Sequence, residues 1–431
     1  MNTLYSKYLA SSGVCTDTRK IQPECIFFAL KGANFNGNTF AKQALTQGAK
    51  YVVIDEVHFP ADFLVENAEK IIQVADVLTV LQDLANHHRR QLNIPFIGVG
   101  GSNGKTTTKE LIGAVLRKKY KTFATQGNLN NHIGVPLTLL SITQEIEMAV
   151  IELGANHEGE IAELCRIAEP NFGIITNIGL DHLEGFGSIA GVARANGELF
   201  CHLAQNQGVA FVNTQEDYVA DLAKEVPTVI TYPQKGGFYE AEMIDERLFV
   251  ALRTSKGEKV ESQLFGAYNF HNIATALCIG QYFGVPEALA HQAIANYIPA
   301  NNRSQLIQKG TNTILMDAYN ANPSSMSLAI ENFTNLKAEH KMVILGDMYE
   351  LGDASTAEHH RLGDLVAKGG FEIVVLFGKA MQEALIANPK AYYFTDKFSL
   401  HNWLQDRRLQ DTYILIKGSR GVALETVFHF I

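Results

Sequence analysis

Gly98-Val-Gly-Gly-Ser-Asn-Gly-Lys-Thr-Thr-Thr-Lys109 is the stretch that decides the fold. It follows the apolar run Ile94 to Val99 and leads into Leu111, Ile112, Val115 and Leu116, which recur at helical spacing. A strand, a glycine turn and a helix opened by lysine and threonine make a phosphate-binding loop. Glycines let consecutive backbone N–H groups converge on one anion, the helix N-terminus adds its positive dipole end, and the lysine reaches the outer phosphates. A polyphosphate nucleotide, ATP or GTP, is the expected ligand. The loop departs from the common G-x-x-x-x-G-K-[ST] spacing, because Val99 stands where the first glycine should be and the turn closes through Gly101 and Gly104. The bland alternative is a glycine turn that only joins strand to helix; glycine, lysine and threonine together exceed what such a turn needs.

Outward from this loop, 431 residues suggest two to four domains. A hydrophobic content of 46% with 19% charged residues is that of a globular protein. No apolar run approaches the ~18 residues of a membrane span, and Met1 to Cys15 lacks the apolar stretch of a secretory signal, so a cytoplasmic protein with no membrane insertion is expected. The five cysteines are widely spaced without a C-x-x-C pair, which argues against a disulfide framework or structural zinc. A net charge of −9 without a basic cluster speaks against nucleic acid as a partner.

Residues 1 to 85 alternate short apolar runs (Cys25 to Leu30, Tyr51 to Ile54, Lys70 to Val74) with glycine-bearing turns, as a small α/β domain does. The turn Thr16-Asp17-Thr18-Arg19 either holds a nucleotide-type ligand or is a solvated turn with an ion pair; spacing alone does not choose. Residues 86 to 299 form the second domain, in which strands and helices alternate as in a mostly parallel sheet with ligands at the carboxyl ends of its strands. Met148 to Ile151 ends in Glu152, a carboxylate placed where Mg²⁺ is held beside a phosphate loop. Phe172 to Thr176 runs into Asp181-His182; a lone histidine is more often a hydrogen-bonded loop residue than a ligand. Residues 300 to 431, opening near Asn301-Asn302-Arg303, form a third, open-sheet unit. Its strands end in Asp317, Gly346-Asp347, Gly378-Lys379 and Lys417-Gly-Ser-Arg420. The expected fold class is therefore α/β in three domains, the central one of P-loop ATPase type and the last Rossmann-like.

Seven motifs occur in order along nearly the whole chain: Gly101-Ser-Asn-Gly-Lys-Thr-Thr107, Gly127-Asn-Leu-Asn-Asn-His-Ile-Gly-Val-Pro136, Glu152-Leu-Gly-Ala155, His182-Leu-Glu-Gly-Phe-Gly187, His271-Asn272, Asp317-Ala-Tyr-Asn-Ala-Asn-Pro323 and Leu345-Gly-Asp-Met-Tyr-Glu-Leu-Gly352. Each is modest alone, and together they resemble the Mur ligases. The last two point to the branch that acts on a UDP-linked tripeptide. The resemblance implies an ATP-dependent amide ligase of cytoplasmic peptidoglycan synthesis. ATP phosphorylates the terminal carboxylate of UDP-N-acetylmuramoyl-tripeptide, and the amine of D-Ala-D-Ala attacks the acyl phosphate.

The resemblance also implies roles. Gly101, Ser102, Asn103, Gly104, Lys105, Thr106 and Thr107 cradle the ATP phosphates, with Lys105 stabilising transferred charge. Thr106 and Glu152 hold magnesium, and His182 aligns with a ligand of a second magnesium. Asn272, Arg303 and Asp317 contact the adenosine, Thr18 and Arg19 the UDP group, and Asn320, Asn322 and Asp347 the incoming dipeptide. A monomer is expected. Three positions depart from the family pattern. Asn196 stands where many members carry a lysine that is carbamylated to act as a carboxylate, which predicts a weaker or differently built second metal site. Gly100 replaces the usual threonine, and Asn302 a common glycine. Two other readings stay open: a different ligase of the superfamily, such as a folylpolyglutamate synthase, and a nucleotide-binding switch that no longer catalyses. The third residue of the tripeptide, diaminopimelate or lysine, depends on pocket shape and is not written in these motifs.

Overall fold

Parallel strands buried on both faces need near-continuous apolar runs, and the computed structural model places such runs in three successive sheets. It describes residues 1–245, 248–300 and 302–431; Asn301, at the expected start of the third domain, lies outside them. Two compact units form, one of residues 1–98, 120–154 and 160–172, the other of residues 99–119, 155–159 and 173–431. No described helix is long and apolar enough to cross a membrane.

The first unit opens with helix α1 (Asn2–Leu9) and a four-stranded parallel sheet in the order β1 (Val14–Cys15), β2 (Ile26–Phe28), β3 (Tyr51–Ile54) and β4 (Ile71–Gln73). Its core joins Phe27, Val52 and Ile54 to the small residues Ala41 and Ala44. Helix α2 (Val77–Gln91), capped by the Asp76 side chain on the Thr79 N–H, leads into β5 (Phe96–Gly100). Helix α3 (Lys105–Leu116) follows β5 and is part of the second unit. Back in the first unit, β6 (Thr122–Ala124) pairs in parallel with β7 (Met148–Glu152), which is next to β5 in strand order.

In the second unit the order continues from β5 through β8 (Phe172–Ile175), then, after helix α4 (Ile189–Gln205), β9 (Val209–Asn213) and β10 (Thr228–Tyr232). A three-stranded antiparallel sheet comes next, β11 (Ala241–Asp245), β12 (Phe249–Thr254) and β13 (Lys259–Phe265), before helices α5 (Asn269–Tyr282) and α6 (Glu287–Asn296). Strand–helix alternation did not foretell this sheet. Its signature is the period-two burial of β13 and the turn Ser255-Lys-Gly-Glu258, a hairpin signal rather than a crossover signal.

The last part of the unit builds a six-stranded sheet in the order β14 (Gln305–Lys309), β15 (Asn312–Asp317), β19 (Thr412–Lys417), β16 (His340–Gly346), β17 (Ile373–Phe377) and β18 (Tyr392–Phe394). Only β14, a strand not anticipated from the sequence, runs antiparallel to its neighbour β15. Helices α7 (Pro323–Asn335), α8 (Ser355–Lys368), α9 (Met381–Ala387) and α10 (Lys397–Arg407) connect the strands. Alternation along each strand supplies both faces. Leu315, Val343, Leu345, Leu376 and Leu415 enter one core, and Ile314, Met316, Met342, Ile344, Val375, Ile414 and Ile416 enter the other.

Candidate functional site

The turn after β5 accepts glycine alone at position 101. Gly101 has φ +116, and a Cβ there would lie 2.2 Å from Thr176 Oγ1 and 2.7 Å from Thr176 N. Three consecutive N–H groups are then fixed: Gly101 donates to Asn196 Oδ1 at 2.7 Å, Ser102 to the Asn177 carbonyl at 2.9 Å, and Asn103 to Asn177 Oδ1 at 3.1 Å. The Ser102 hydroxyl donates to Asp181 Oδ1 at 2.8 Å. Gly104, at φ +78, is the N-cap of α3. The first N–H groups of that helix have no intrahelical carbonyl to reach, so together with the dipole they form an anion site. Lys105 Nζ donates to the carbonyls of Gly101 and Ser102, which folds its cation over the loop. Thr106, in the first turn of α3, is buried, and Thr107 follows it. Thr108 Oγ1 donates to Asn272 Oδ1 at 3.0 Å, and Asn272 Nδ2 donates to Asn269 Oδ1, so the expected adenosine contact Asn272 is tied directly to the helix behind the loop.

Beside the loop is a cavity of about 620 Å³ whose lining includes Asn103, Asn177, Gln215, Glu216, Phe270, His271 and Asn272. Its size and mixed aromatic and amide wall suit a nucleoside. Burial pushes the His271 pKa down and that of Glu216 up, with Asp217 adding to the latter. The wall carries amides and the His271 imidazole, which can hydrogen-bond a base, beside the carboxyl groups of Glu216 and Glu242.

Glu152 closes β7 in the first unit with its side chain buried. Oε1 accepts from Asn130 Nδ2 at 2.9 Å, and the Glu152 N–H donates to Thr125 Oγ1 at 3.0 Å. Asn130 is thus a carboxylate-orienting residue that the reading of single residues missed, although it sits inside a quoted motif. His182 has φ +45, and its Nδ1 stands 2.7 Å from Glu350 Oε2. The imidazole holds the Glu350 carboxyl below its ordinary range. The structure therefore brings His182 to a residue of the Gly346 to Gly352 motif, a pairing the sequence did not suggest.

Several polar residues of the C-terminal part hold the scaffold. Asp317 accepts from the Ser304 N–H at 2.9 Å through Oδ1 and from Lys417 Nζ at 2.6 Å through Oδ2. Lys417 is buried and also donates to the Asn320 carbonyl, a role not foreseen from its strand-end position. The Arg303 guanidinium stacks 3.5 Å over the Tyr319 ring. Asn302 adopts φ +58, the left-handed region that favours glycine and that asparagine tolerates. Asn320 Oδ1 accepts from the Ala321 N–H. Asn322 caps α7 through the Ser325 N–H and donates through Nδ2 to Asn103 Oδ1 at 2.9 Å, while Ser324 Oγ accepts the Leu180 N–H at 2.7 Å. The segment 322–324 therefore meets the phosphate loop. Asp347 is instead buried at the end of β16, its Oδ1 taking the Met381 N–H at the start of α9. Thr18 and Arg19 lie in a short 3-10 turn of the first unit. There the Arg19 guanidinium binds Asp17 at 2.7 Å and lowers its carboxyl to about 2.

The chain resembles known proteins over nearly its whole length. Residues 11–89 match the Mur ligase family catalytic domain, 99–280 the Mur ligase middle domain, and 302–420 the Mur ligase glutamate ligase domain. The chain is 34% identical over 428 residues to the UDP-N-acetylmuramoyl-tripeptide--D-alanyl-D-alanine ligase of Bacillus subtilis (strain 168), covering 96% of this chain and 92% of that one. A crystal structure of MurF from Acinetobacter baumannii superposes with a TM-score of 0.86 at 32% identity, covering 99% of this chain and 97% of that one. The MurF ligase of Thermotoga maritima in complex with ADP superposes at 0.84 with 26% identity, covering 98% and 97%.

Proposed function

The chain belongs to the Mur ligase family, and from that premise we propose that it joins D-Ala-D-Ala to UDP-N-acetylmuramoyl-tripeptide with ATP as the activating reagent, a cytoplasmic step of peptidoglycan precursor synthesis. The observation that carries the reading is the glycine-shaped loop at 101–107, bordered by a nucleoside-sized cavity and met by Asn322 from the C-terminal part.

A carboxylate is a poor electrophile at neutral pH. Transfer of the γ-phosphate to the tripeptide carboxylate turns one of its oxygens into a leaving group, after which the dipeptide amine forms the amide and phosphate departs. Lys105 leaves the Gly101 and Ser102 carbonyls to neutralise charge on the phosphates, and the first N–H groups of α3 bind the same anion. Asn272 and the cavity wall place the adenosine. Arg303 and Asp317 are assigned to the adenosine from the family pattern, although neither lines the cavity beside the loop, and Asp317 is fixed by Lys417. Thr18 and Arg19 are assigned to the uridine diphosphate, Arg19 exchanging its Asp17 partner for phosphate.

The residues present fit magnesium in kind. Thr106 and Glu152 offer hydroxyl and carboxylate oxygens, the donors this ion prefers, and the ion supplies charge neutralisation between the phosphates when bound. His182 is assigned to a second ion, which its Nε2 would meet while Nδ1 stays on the Glu350 carboxylate. Both polar atoms of Asn196 are engaged by protein partners, and the amide carries no charge to offer an ion. Asn320, Asn322 and Asp347 are assigned to the incoming dipeptide, Asp347 with one carboxylate oxygen already on the Met381 N–H.

The test is phosphate release by purified protein supplied with ATP, Mg²⁺, D-Ala-D-Ala and either the diaminopimelate or the lysine form of the UDP-tripeptide. Release that requires both acceptors supports the ligase. Release from ATP alone points to the switch, and turnover with a folate and glutamate points to the folylpolyglutamate branch.

A further inference from the structure

An asparagine in the middle of a helix is a cost. It disfavours the helical backbone and, when buried, must find partners for both ends of its amide. Asn196 lies within α4 and is buried to 6% exposure. Its Nδ2 donates to the Val192 carbonyl one turn back at 3.0 Å. That bond orients the amide, so Oδ1 projects from the helix and takes the Gly101 N–H at 2.7 Å. The receiving residue is the one whose φ of +116 and closeness to Thr176 forbid a side chain. The acceptor is supplied 95 residues away in sequence, at the point where β5 turns into the loop.

The consequence concerns direction. The N–H groups of Ser102 and Asn103, drawn toward Asn177, turn the carbonyls of Gly101 and Ser102 toward Lys105, which donates to both, and the Gly101 N–H, drawn toward α4, anchors the residue from which that run starts. The loop entrance thus holds the lysine where the outer phosphates arrive, and the anion is left to the N–H groups that open α3. Loss of the Asn196 acceptor leaves the peptide between Gly100 and Gly101 held at one end only, where the Gly100 carbonyl accepts from the Thr176 N–H at 3.0 Å and hydroxyl at 3.3 Å, and its N–H end buried without a partner.

We propose that Asn196 is a positioning residue of the phosphate loop: its carboxamide anchors the Gly101 N–H at the loop entrance, one peptide ahead of the carbonyls that hold the Lys105 ammonium, without touching nucleotide or metal. This rests on the reading of residues 101–107 as the ATP phosphate site. In N196A and the nearly isosteric N196L, KM for ATP should rise about tenfold, the size expected for losing one buried hydrogen bond that orders a binding loop. KM for the UDP-tripeptide and the magnesium dependence at saturating ATP should stay within twofold. Hydrogen exchange measured by mass spectrometry on the nucleotide-free enzyme should speed up in the peptides covering 96–104, with the C-terminal sheet unchanged. That exchange readout needs no catalysis and tells a loosened loop from a globally destabilised fold. Unaltered exchange at 96–104, or a shift confined to magnesium affinity, overturns the proposal. Near wild-type ligation by K105A overturns the phosphate-loop reading itself, and the two failures are separable.

Discussion

Replacing Gly101 by alanine is the most direct perturbation of the loop, and the structure sets its size. An L-residue at φ +116 lies outside its favoured backbone regions, at a cost of about 1–3 kcal/mol. The added Cβ would sit 2.2 Å from Thr176 Oγ1 and 2.7 Å from the Thr176 backbone nitrogen, and real Cβ atoms do not approach that closely. The Oγ1 contact can be relieved by rotating Thr176, which gives up its bond to the Asn103 carbonyl at 2.7 Å, worth about 1 kcal/mol net. The backbone contact can be relieved only by moving the loop away from β8. Together these amount to roughly 2–4 kcal/mol, and because the displaced atoms are those that cup the phosphates, most of it falls on nucleotide binding. G101A should therefore raise KM for ATP by about thirtyfold or more, since each 1.4 kcal/mol is a factor of ten. G236A is the matched control: its φ is +86 and nothing lies within 4 Å of a Cβ there, so it carries backbone strain without a clash or a ligand. Initial rates against ATP concentration, with thermal unfolding of both variants, separate the cases. A G101A enzyme with an ATP KM within twofold of wild type and an unchanged unfolding midpoint would show that the loop does not work in this conformation.

Lys105→Ala should lower ligation by about 10²-fold or more while calorimetry shows UDP-tripeptide binding largely intact, because charge on the transferred phosphoryl loses its counter-ion and the uridine site lies elsewhere. With Asn196 in place of a carbamylated lysine, exhaustive removal of bicarbonate should leave the rate unchanged at every magnesium concentration; a rate that collapses and returns on adding bicarbonate would contradict this. Asn322→Ala removes both the N-cap of α7 and the bond to Asn103, and should cost about 1 kcal/mol in denaturant unfolding, the usual size of a lost cap, besides weakening ATP binding. Burial holds His88 below the ordinary histidine value, with its ring nitrogens on the Ile142 carbonyl at 2.8 Å and the Tyr5 hydroxyl at 3.2 Å. An unfolded chain protonates at about 6.5 while the folded one resists. Stability is thus full above that pH and is lost as pH falls through it, so unfolding midpoints should drop between pH 7 and pH 5, and His88→Gln should flatten the slope.

Local chemistry was legible in the chain and long-range partnership was not. The phosphate loop could be read because its glycines, lysine and threonines are contiguous and each meets a requirement set by its immediate neighbours. The strand ends could be read for a similar reason, since an apolar run that stops at Asp317 or Glu152 marks where the strand ends. What sequence spacing does not carry is the partner of each polar group. Nothing near Gly101 announces an acceptor on α4, and nothing near Asn103 announces a donor 219 residues on. The antiparallel sheet of β11 to β13 was passed over because a stretch of alternating strands and helices sets an expectation that a short hairpin contradicts without interrupting it.

The polar residues gathered by motif divide by a single physical criterion, the number of their polar atoms already satisfied inside the fold. Asp347 gives a carboxylate oxygen to the start of α9, Asp317 gives both oxygens to Ser304 and Lys417, and Asn196 gives both ends of its amide to Val192 and Gly101. Such bonds fix the orientation of the group, and although its oxygens keep further lone pairs, turning it toward a new ligand means giving up a bond that costs about 1–3 kcal/mol to leave unmade where it is buried. Lys105 differs, because carbonyl oxygens are weaker partners for an ammonium than phosphate oxygens, and exchanging one for the other is downhill. His182 and Glu350 stand between these cases: their contact joins the histidine loop to the Gly346 to Gly352 turn through Nδ1 alone, which leaves Nε2 outside that pair. The same criterion therefore orders the expected sites by how readily each is released, the lysine first, the histidine next, and the engaged carboxylates and amides last.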